Sequence, residues 1–204
     1  LVAGMERADS LAFDLHKWMY MPFEVACVLI RNFDDHINTF AASPDYLTHM
    51  PRGVAGGDRA WFGDMGMQLT RSFRALKVWM TFKAYGLEHF TRQIEQDIEN
   101  AHYLEDLVRK HPNLELLADV PLNIVCFRYR TDALEAKELN EFNTEIMLRL
   151  HERGLAIPSY TRLNGNFALR VSITNHRSTR ADFDFLVNKV TEIADEILTE
   201  KSAA

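Results

Sequence analysis

The hydrophobic pattern of this chain changes its period along the sequence, and the order of these periods restricts the folds that it can adopt. Residues 9–14 and 24–31 have the short apolar pattern of strands, with a turn between them. Residues 69–84 and about 87–110 instead repeat apolar side chains every three or four positions. That spacing predicts two consecutive amphipathic helices, which we expect to form a bent pair.

Beyond Pro112 strands and helices are mixed. The predicted elements are, in order, strands in LELLA and NIVCFRYR, a helix over about 136–153, strands in LAIPSY and FALRVSIT, and a helix from about Arg180 to Glu200. Short strands separated by turns and followed by helices indicate a compact α+β lobe with a mostly antiparallel sheet.

Composition excludes several classes of protein. The 204 residues are 47% hydrophobic and 25% charged, and they contain no apolar run of the roughly 18 residues that a membrane span needs. The net charge is −6 and the basic residues are scattered, so nucleic acid is not an expected partner. Cys27 and Cys126 lie in apolar strand-like runs, which predicts buried, reduced thiols and a cytoplasmic protein.

Residues 33–66 show no sustained period and contain repeated Pro and Gly residues. We therefore expect a long irregular loop in this region. Because structureless loops of about 30 residues are uncommon in compact domains, such a loop is expected to be functional or mobile.

Lys17 occupies the turn between the two predicted N-terminal strands, flanked by His16 and Trp18. One interpretation is a solvated lysine in a surface turn. The other is a reactive lysine, because apolar strands and a neighbouring histidine disfavour an ammonium ion, and imine chemistry needs a neutral amine.

Four segments in order resemble a known family. ADSLAFDLHKW is similar to the lysine segment of the group II pyridoxal-phosphate (PLP) decarboxylases, which act on aromatic amino acids, histidine and glutamate. The downstream segments RSFRALKVW, NIVCFRYR and FALRVSI are similar to the closing half of that family, most of all to its aromatic branch. The resemblance covers essentially all of the chain.

The resemblance implies an α/β fold, the C-terminal part of a PLP-dependent transferase chain of fold type I. Residues 1–66 would be the end of the PLP-binding large domain with a mobile catalytic loop. Residues 67–111 would be connecting helices, and residues 112–204 a small α+β domain. In the family, the aspartate that faces the pyridine nitrogen and the histidine stacked on the ring precede the lysine, so we expect them upstream of this chain, in a polypeptide about twice as long.

The resemblance also implies roles for individual residues. Lys17 would form the Schiff base with PLP, and His16 would help to hold the phosphate, although a purely structural His16 is the alternative. Tyr46, in SPDYLTHM, would be the loop tyrosine that reaches a neighbouring subunit and donates a proton after carbon dioxide leaves; the alternative is a tyrosine that only packs the loop. Asp14 stands where many relatives have Asn, and we do not expect its carboxylate to contact the phosphate.

His36 and His49 lie in the same loop and receive no role. No group of residues has the spacing of metal ligands. The predicted function is PLP-dependent decarboxylation of an aromatic L-amino acid to the amine and carbon dioxide. The aromatic preference rests on overall likeness, and the protein is expected to be a homodimer. Two alternatives remain open, a relative with another substrate or outcome, such as glutamate decarboxylation or oxidative deamination, and a fragment that folds and dimerises without cofactor.

Overall fold

The computed structural model describes residues 2–41, 44–48, 50–53, 57 and 61–202. They form two compact units that divide between Leu87 and Glu88. The division of the chain into three segments at residues 66 and 111 stays a prediction. Within the described residues, no helix is long and apolar enough to cross a membrane.

The first unit opens with two antiparallel strands, β1 (Ser10–Asp14) and β2 (Ala26–Ile30). Both were predicted from the sequence, and they pair in full register from Ser10↔Ile30 to Asp14↔Ala26. Several of their apolar side chains are partly exposed in this chain: Phe13, Val28, Leu29 and Ile30. Cys27, expected to be buried, is half-buried.

Helix α1 (Phe33–Phe40) contradicts the prediction of a wholly irregular segment after residue 33. The Asn32 side chain accepts hydrogen bonds from the backbone N–H groups of Asp34 and Asp35, at 3.0 and 3.2 Å. These bonds cap the N-terminus, and the two carboxylates there interact favourably with the helix dipole. Short 3-10 turns follow at Asp45–Leu47 and Phe62–Met65.

Helix α2 (Arg74–Tyr85) starts five residues later than the apolar pattern predicted. Arg71 donates a hydrogen bond to the carbonyl of Phe62, and the Leu69 side chain lies close to Gly63, so this stretch is bound to the preceding 3-10 turn instead of entering the helix. The apolar side chains of the predicted stripe are largely exposed in this chain: Leu69, Phe73, Leu76 and Met80.

The second unit contains three long helices and one sheet. Its elements are α3 (Leu87–Lys110), β3 (Leu114–Leu116), β4 (Ile124–Tyr129), α4 (Ala136–Glu152), β5 (Ser159–Leu163), β6 (Asn166–Ser172) and α5 (Arg180–Ser202). The strand order is β3-β4-β6-β5, and every pair is antiparallel, as predicted. The large side chains of its core are almost fully buried, among them Phe127, Tyr129, Phe142, Ile146, Leu150, Phe167 and Leu169.

Strand β5 begins at Ser159, later than the predicted strand over residues 155–160. The residues before it are bound to the end of α4: Leu155 N–H donates to the Leu150 carbonyl at 3.0 Å, and the His151 ring donates from Nε2 to the Pro158 carbonyl at 2.9 Å. These contacts hold the segment as a connection, and Pro158 has no N–H to offer a sheet ladder.

Two asparagines of α4 complete the sheet where the β4–β6 ladder stops, after the pair Phe127↔Leu169. Asn143 accepts a hydrogen bond from Tyr129 N–H at 2.7 Å and donates one to the Tyr129 carbonyl at 2.9 Å. Asn140 accepts from Phe167 N–H at 2.6 Å. The helix therefore supplies the hydrogen bonds that a strand partner would otherwise make.

Candidate cofactor-binding site

The turn between β1 and β2 carries Lys17 and His16 on a backbone that folds back on itself. The Val25 carbonyl accepts hydrogen bonds from the N–H groups of Leu15 and His16, at 3.1 and 3.2 Å. Tyr20 N–H in turn donates to the Lys17 carbonyl at 3.1 Å. Leu15 and Val25 are both buried, so the turn has a small apolar anchor below its polar side chains.

Lys17 points its ammonium at a carboxylate of the preceding strand. Its Nζ donates a hydrogen bond to Asp14 Oδ2 at 2.5 Å, and its side chain is 67% exposed. The prediction of apolar surroundings is therefore wrong for this chain, because the sequence neighbours that were expected to form walls leave the amine open. This hydrogen bond holds the pKa of Asp14 below its usual value; desolvation opposes the effect, and the charges of Lys17 and His16 add to it.

The imidazole of His16 is fixed by the same carbonyl that organises the turn. Nδ1 lies 2.7 Å from the Val25 oxygen and 3.3 Å from the Val25 backbone nitrogen; since a carbonyl can only accept, the shorter of the two contacts favours a proton on Nδ1. The ring also packs edge-on against Phe23, with centroids 5.1 Å apart. These contacts fix the orientation of the ring, which is a structural role. The other ring nitrogen, Nε2, is the one that remains for a ligand.

Helix α2 anchors the far side of this turn, a feature that the sequence analysis missed. Lys77 donates hydrogen bonds to the carbonyls of Pro22 and Glu24, at 3.2 and 2.9 Å, and Arg74 binds the Glu24 carboxylate. The hydrogen bond from Arg74 is the main cause of the lowered pKa of Glu24. The signal was present in RSFRALKVW, where Arg74 and Lys77 stand one helical turn apart.

Tyr46 lies in the 3-10 turn Asp45–Leu47 and is 80% exposed. It borders a surface cavity of about 470 Å³, which is also lined by Phe40, Leu47, Met67 and Leu69. Lys17 and His16 do not line this cavity. This cavity therefore does not bring the predicted loop tyrosine and the predicted cofactor lysine together, and the proton-donor role stays a prediction.

His36, the loop histidine that the structure describes, is not found in a catalytic arrangement. The Nε2 atom of His36 lies 3.0 Å from the Met65 carbonyl oxygen, so this ring nitrogen is engaged in a hydrogen bond to the backbone. His49 lies outside the described residues. Among the residues that the structure describes, no group of three or more His, Cys, Asp or Glu side chains could hold a metal ion.

The residues present fit the attachment of an aldehyde cofactor. The exposed Lys17 amine can meet an aldehyde from solvent once its ammonium has lost a proton, the neighbouring Asp14 carboxylate holds the lysine in place beforehand, and His16 offers a fixed ring nitrogen. The family model described as the pyridoxal-dependent decarboxylase conserved domain matches residues 1–130, more than half of the chain. The chain belongs to the pyridoxal-dependent decarboxylase family. This confirms the predicted family and its cofactor, PLP.

Individual relatives agree with this membership. The chain is 35% identical over 198 residues to an aromatic-L-amino-acid decarboxylase of Bacillus atrophaeus, covering 97% of this chain and 41% of the relative. It is 34% identical to a histidine decarboxylase of Drosophila melanogaster, with 97% and 22% coverage. The family likeness therefore extends to relatives named for different substrates.

The fold is also similar to that of solved structures. The crystal structure of Oryza sativa TDC with PLP and tryptamine superimposes with a TM-score of 0.89 at 27% identity, covering 96% of this chain and 40% of that one. The predicted α/β fold class of PLP-dependent enzymes is thereby confirmed. The chain spans about two fifths of the length of the rice enzyme and of the Bacillus relative.

Proposed function

We propose that this chain carries the cofactor lysine, Lys17, of an enzyme that removes carbon dioxide from an L-amino acid, preferably an aromatic one. The observation that carries the proposal is the accessible Lys17 amine in a family match that extends along nearly the whole chain. The aromatic preference is supported by the Bacillus relative and by the rice structure, which contains tryptamine.

PLP, when bound, supplies an electron sink for the bonding pair that remains when the carboxylate departs. The residues of this chain would attach the cofactor and orient it. Lys17 would hold the cofactor covalently, after its ammonium has lost a proton to solvent and left its ion pair with Asp14. His16, held through Nδ1 on the Val25 carbonyl, would have to carry a second proton, on Nε2, to donate a hydrogen bond to the phosphate, and the negative charge of the phosphate favours that form.

Tyr46 is proposed to protonate the α carbon after decarboxylation. Its side chain is exposed in the 3-10 turn that follows α1, so it can meet a substrate that is bound elsewhere in the full-length protein. A proton delivered there completes the amine product. The alternative is that the Tyr46 ring only packs the loop. The substitution Tyr46→Phe distinguishes the two roles, because it removes the hydroxyl and keeps the ring.

A homodimer is proposed from the exposed apolar side chains along α2. Leu76 and Met80 of the predicted apolar stripe are 43% and 56% exposed, and the neighbouring Trp79 is 60% exposed. Obligate interfaces of about 2,000 Å² or more cover side chains of this type. The free thiols of Cys27 and Cys126 support a reducing, cytoplasmic location.

The attachment site is tested by borohydride reduction of the PLP-treated full-length polypeptide that carries this chain, followed by peptide mapping. We expect the label on Lys17, its loss in Lys17→Ala, and its retention in the matched control Lys83→Ala, which removes an exposed lysine of α2. Label on another lysine in the unaltered protein would overturn the assignment.

The reaction is tested by measuring amine, aldehyde and hydrogen peroxide together with tryptophan, tyrosine, phenylalanine, histidine and glutamate as substrates. Amine without peroxide, formed fastest from an aromatic substrate, is the expected result. Aldehyde with peroxide would instead identify oxidative deamination, and amine from glutamate alone would reject the aromatic preference.

A further inference from the structure

Helix α1 is connected to the 3-10 turn Phe62–Met65 by a hydrogen bond that spans 29 positions of the sequence. The half-buried His36 donates it from Nε2 to the Met65 carbonyl at 3.0 Å. The same ring packs edge-on against Phe40, with centroids 5.6 Å apart. The imidazole is thus held on one side by its own helix and on the other by the 3-10 turn.

The two elements that His36 joins also form walls of the cavity beside Tyr46. Phe40 of α1 lines one part of the cavity, and Gly63 of the 3-10 turn lines another. A change in the separation of these elements would alter the cavity and the placement of the Tyr46 ring at its border. The hydrogen bond of His36 therefore acts on the surroundings of Tyr46 without a contact between the two side chains.

A second contact holds the other end of the same 3-10 turn. Arg71 donates a hydrogen bond to the Phe62 carbonyl, and its guanidinium lies 5.8 Å from the centre of the Phe62 ring. The carbonyls at the C-terminal end of a helix need partners from outside it, and the Met65 carbonyl finds one in His36, while Arg71 adds a contact at the N-terminal end. Of these partners, His36 is the one that reaches back to α1.

We propose that His36 is a positioning residue, which holds Phe62–Met65 against α1 and thereby sets the placement of Tyr46 for the reaction. This role rests on the function proposed above. The Nε2–H group is committed to a carbonyl, so His36 is not available as the proton donor itself. A side chain with an N–H group at similar reach should replace it, and an apolar one should not.

The contact is tested first by limited trypsin digestion of the PLP-loaded full-length polypeptide, following cleavage after the exposed Arg52. In His36→Leu we expect this cleavage to become about fivefold faster, the factor that loss of one typical net hydrogen bond produces. His36→Gln should stay within about twofold of the unaltered protein, because one hydrogen bond can be retained. The matched control Asn38→Leu changes an exposed polar residue of the same helix and should leave the rate unchanged.

The positioning role is tested by steady-state kinetics on the same variants. His36→Leu should lower kcat about fivefold, since the same hydrogen bond is lost, with little change in KM and a larger share of aldehyde relative to amine. His36→Gln should recover both kcat and the product ratio. A side chain that only stabilises the fold would not shift the product ratio in molecules that remain folded.

Unchanged Arg52 cleavage in His36→Leu would show that the hydrogen bond does not hold the turn, and would overturn the proposal. Faster cleavage with unaltered kcat and product ratio would also overturn it, because the contact would then have no effect on the reaction. If the unaltered protein makes no amine while borohydride labels no lysine, the proposed function fails, and the cleavage rates alone then decide whether His36 holds this turn.

Discussion

Asn143 provides the sharpest test of how α4 completes the sheet. It is fully buried and makes three hydrogen bonds, two to the backbone of Tyr129 and one from Nδ2 to the Leu139 carbonyl at 2.9 Å. Asn143→Leu replaces the amide by a branched apolar group that is larger, so overpacking adds to the cost. The substitution leaves the N–H and the carbonyl of Tyr129 without these partners inside the core.

The structure sets the size of the effect. Each buried backbone group that loses its partner costs about 1–3 kcal/mol, so the two groups of Tyr129 together cost about 2–6 kcal/mol. Leu139 adds little, because its carbonyl keeps its ordinary helical hydrogen bond. Leucine returns part of this cost through apolar burial, so we expect a net loss of about 3 kcal/mol and a fall in the melting temperature of roughly 6–12 °C.

The assay is thermal unfolding of the full-length polypeptide, combined with hydrogen exchange of the peptide that contains Tyr129. The matched control is Asn188→Leu, an asparagine exposed on α5, which should change stability by less than about 0.5 kcal/mol. The exchange measurement locates the effect, because the amide of Tyr129 should lose protection first. If Asn143→Leu is no more destabilising than Asn188→Leu, the argument from buried backbone groups is refuted.

Three further outcomes are expected. Tyr46→Phe should lower amine formation about 10²- to 10⁴-fold while borohydride still traps PLP, and unchanged amine formation would assign the proton donor elsewhere. The pKa of Glu200 is lowered from its usual 4.5, chiefly by a hydrogen bond from Arg149, so this link between α4 and α5 is complete above about pH 4.5 and is lost as the pH falls through the lowered value. Melting temperatures of the unaltered protein should therefore fall more between pH 6 and pH 3 than those of Arg149→Leu, and equal falls would contradict the link. Trp79→Asp should dissociate the dimer in sedimentation experiments, whereas Lys83→Ala should not.

Much of the fold follows from local sequence. The second unit was predicted with the right elements and an antiparallel sheet, because its helices and strands carry clear periods over many residues. Errors occurred where a short element depends on one side chain or where neighbouring segments compete. Helix α1 was missed although Asn32 is a suitable N-cap, and α2 was begun too early because residues before it bind the 3-10 turn.

The sequence by itself determined the family, through the order of its motifs, and it selected Lys17 as the candidate for the cofactor lysine. Only the tertiary structure decided what surrounds the candidate residues. His16 is bound to a carbonyl nine positions away, His36 to one 29 positions away, and Lys77 to one 53 positions away. Such partners cannot be read from local patterns, since they depend on which backbone carbonyls the folded chain brings within hydrogen-bond distance of each side chain.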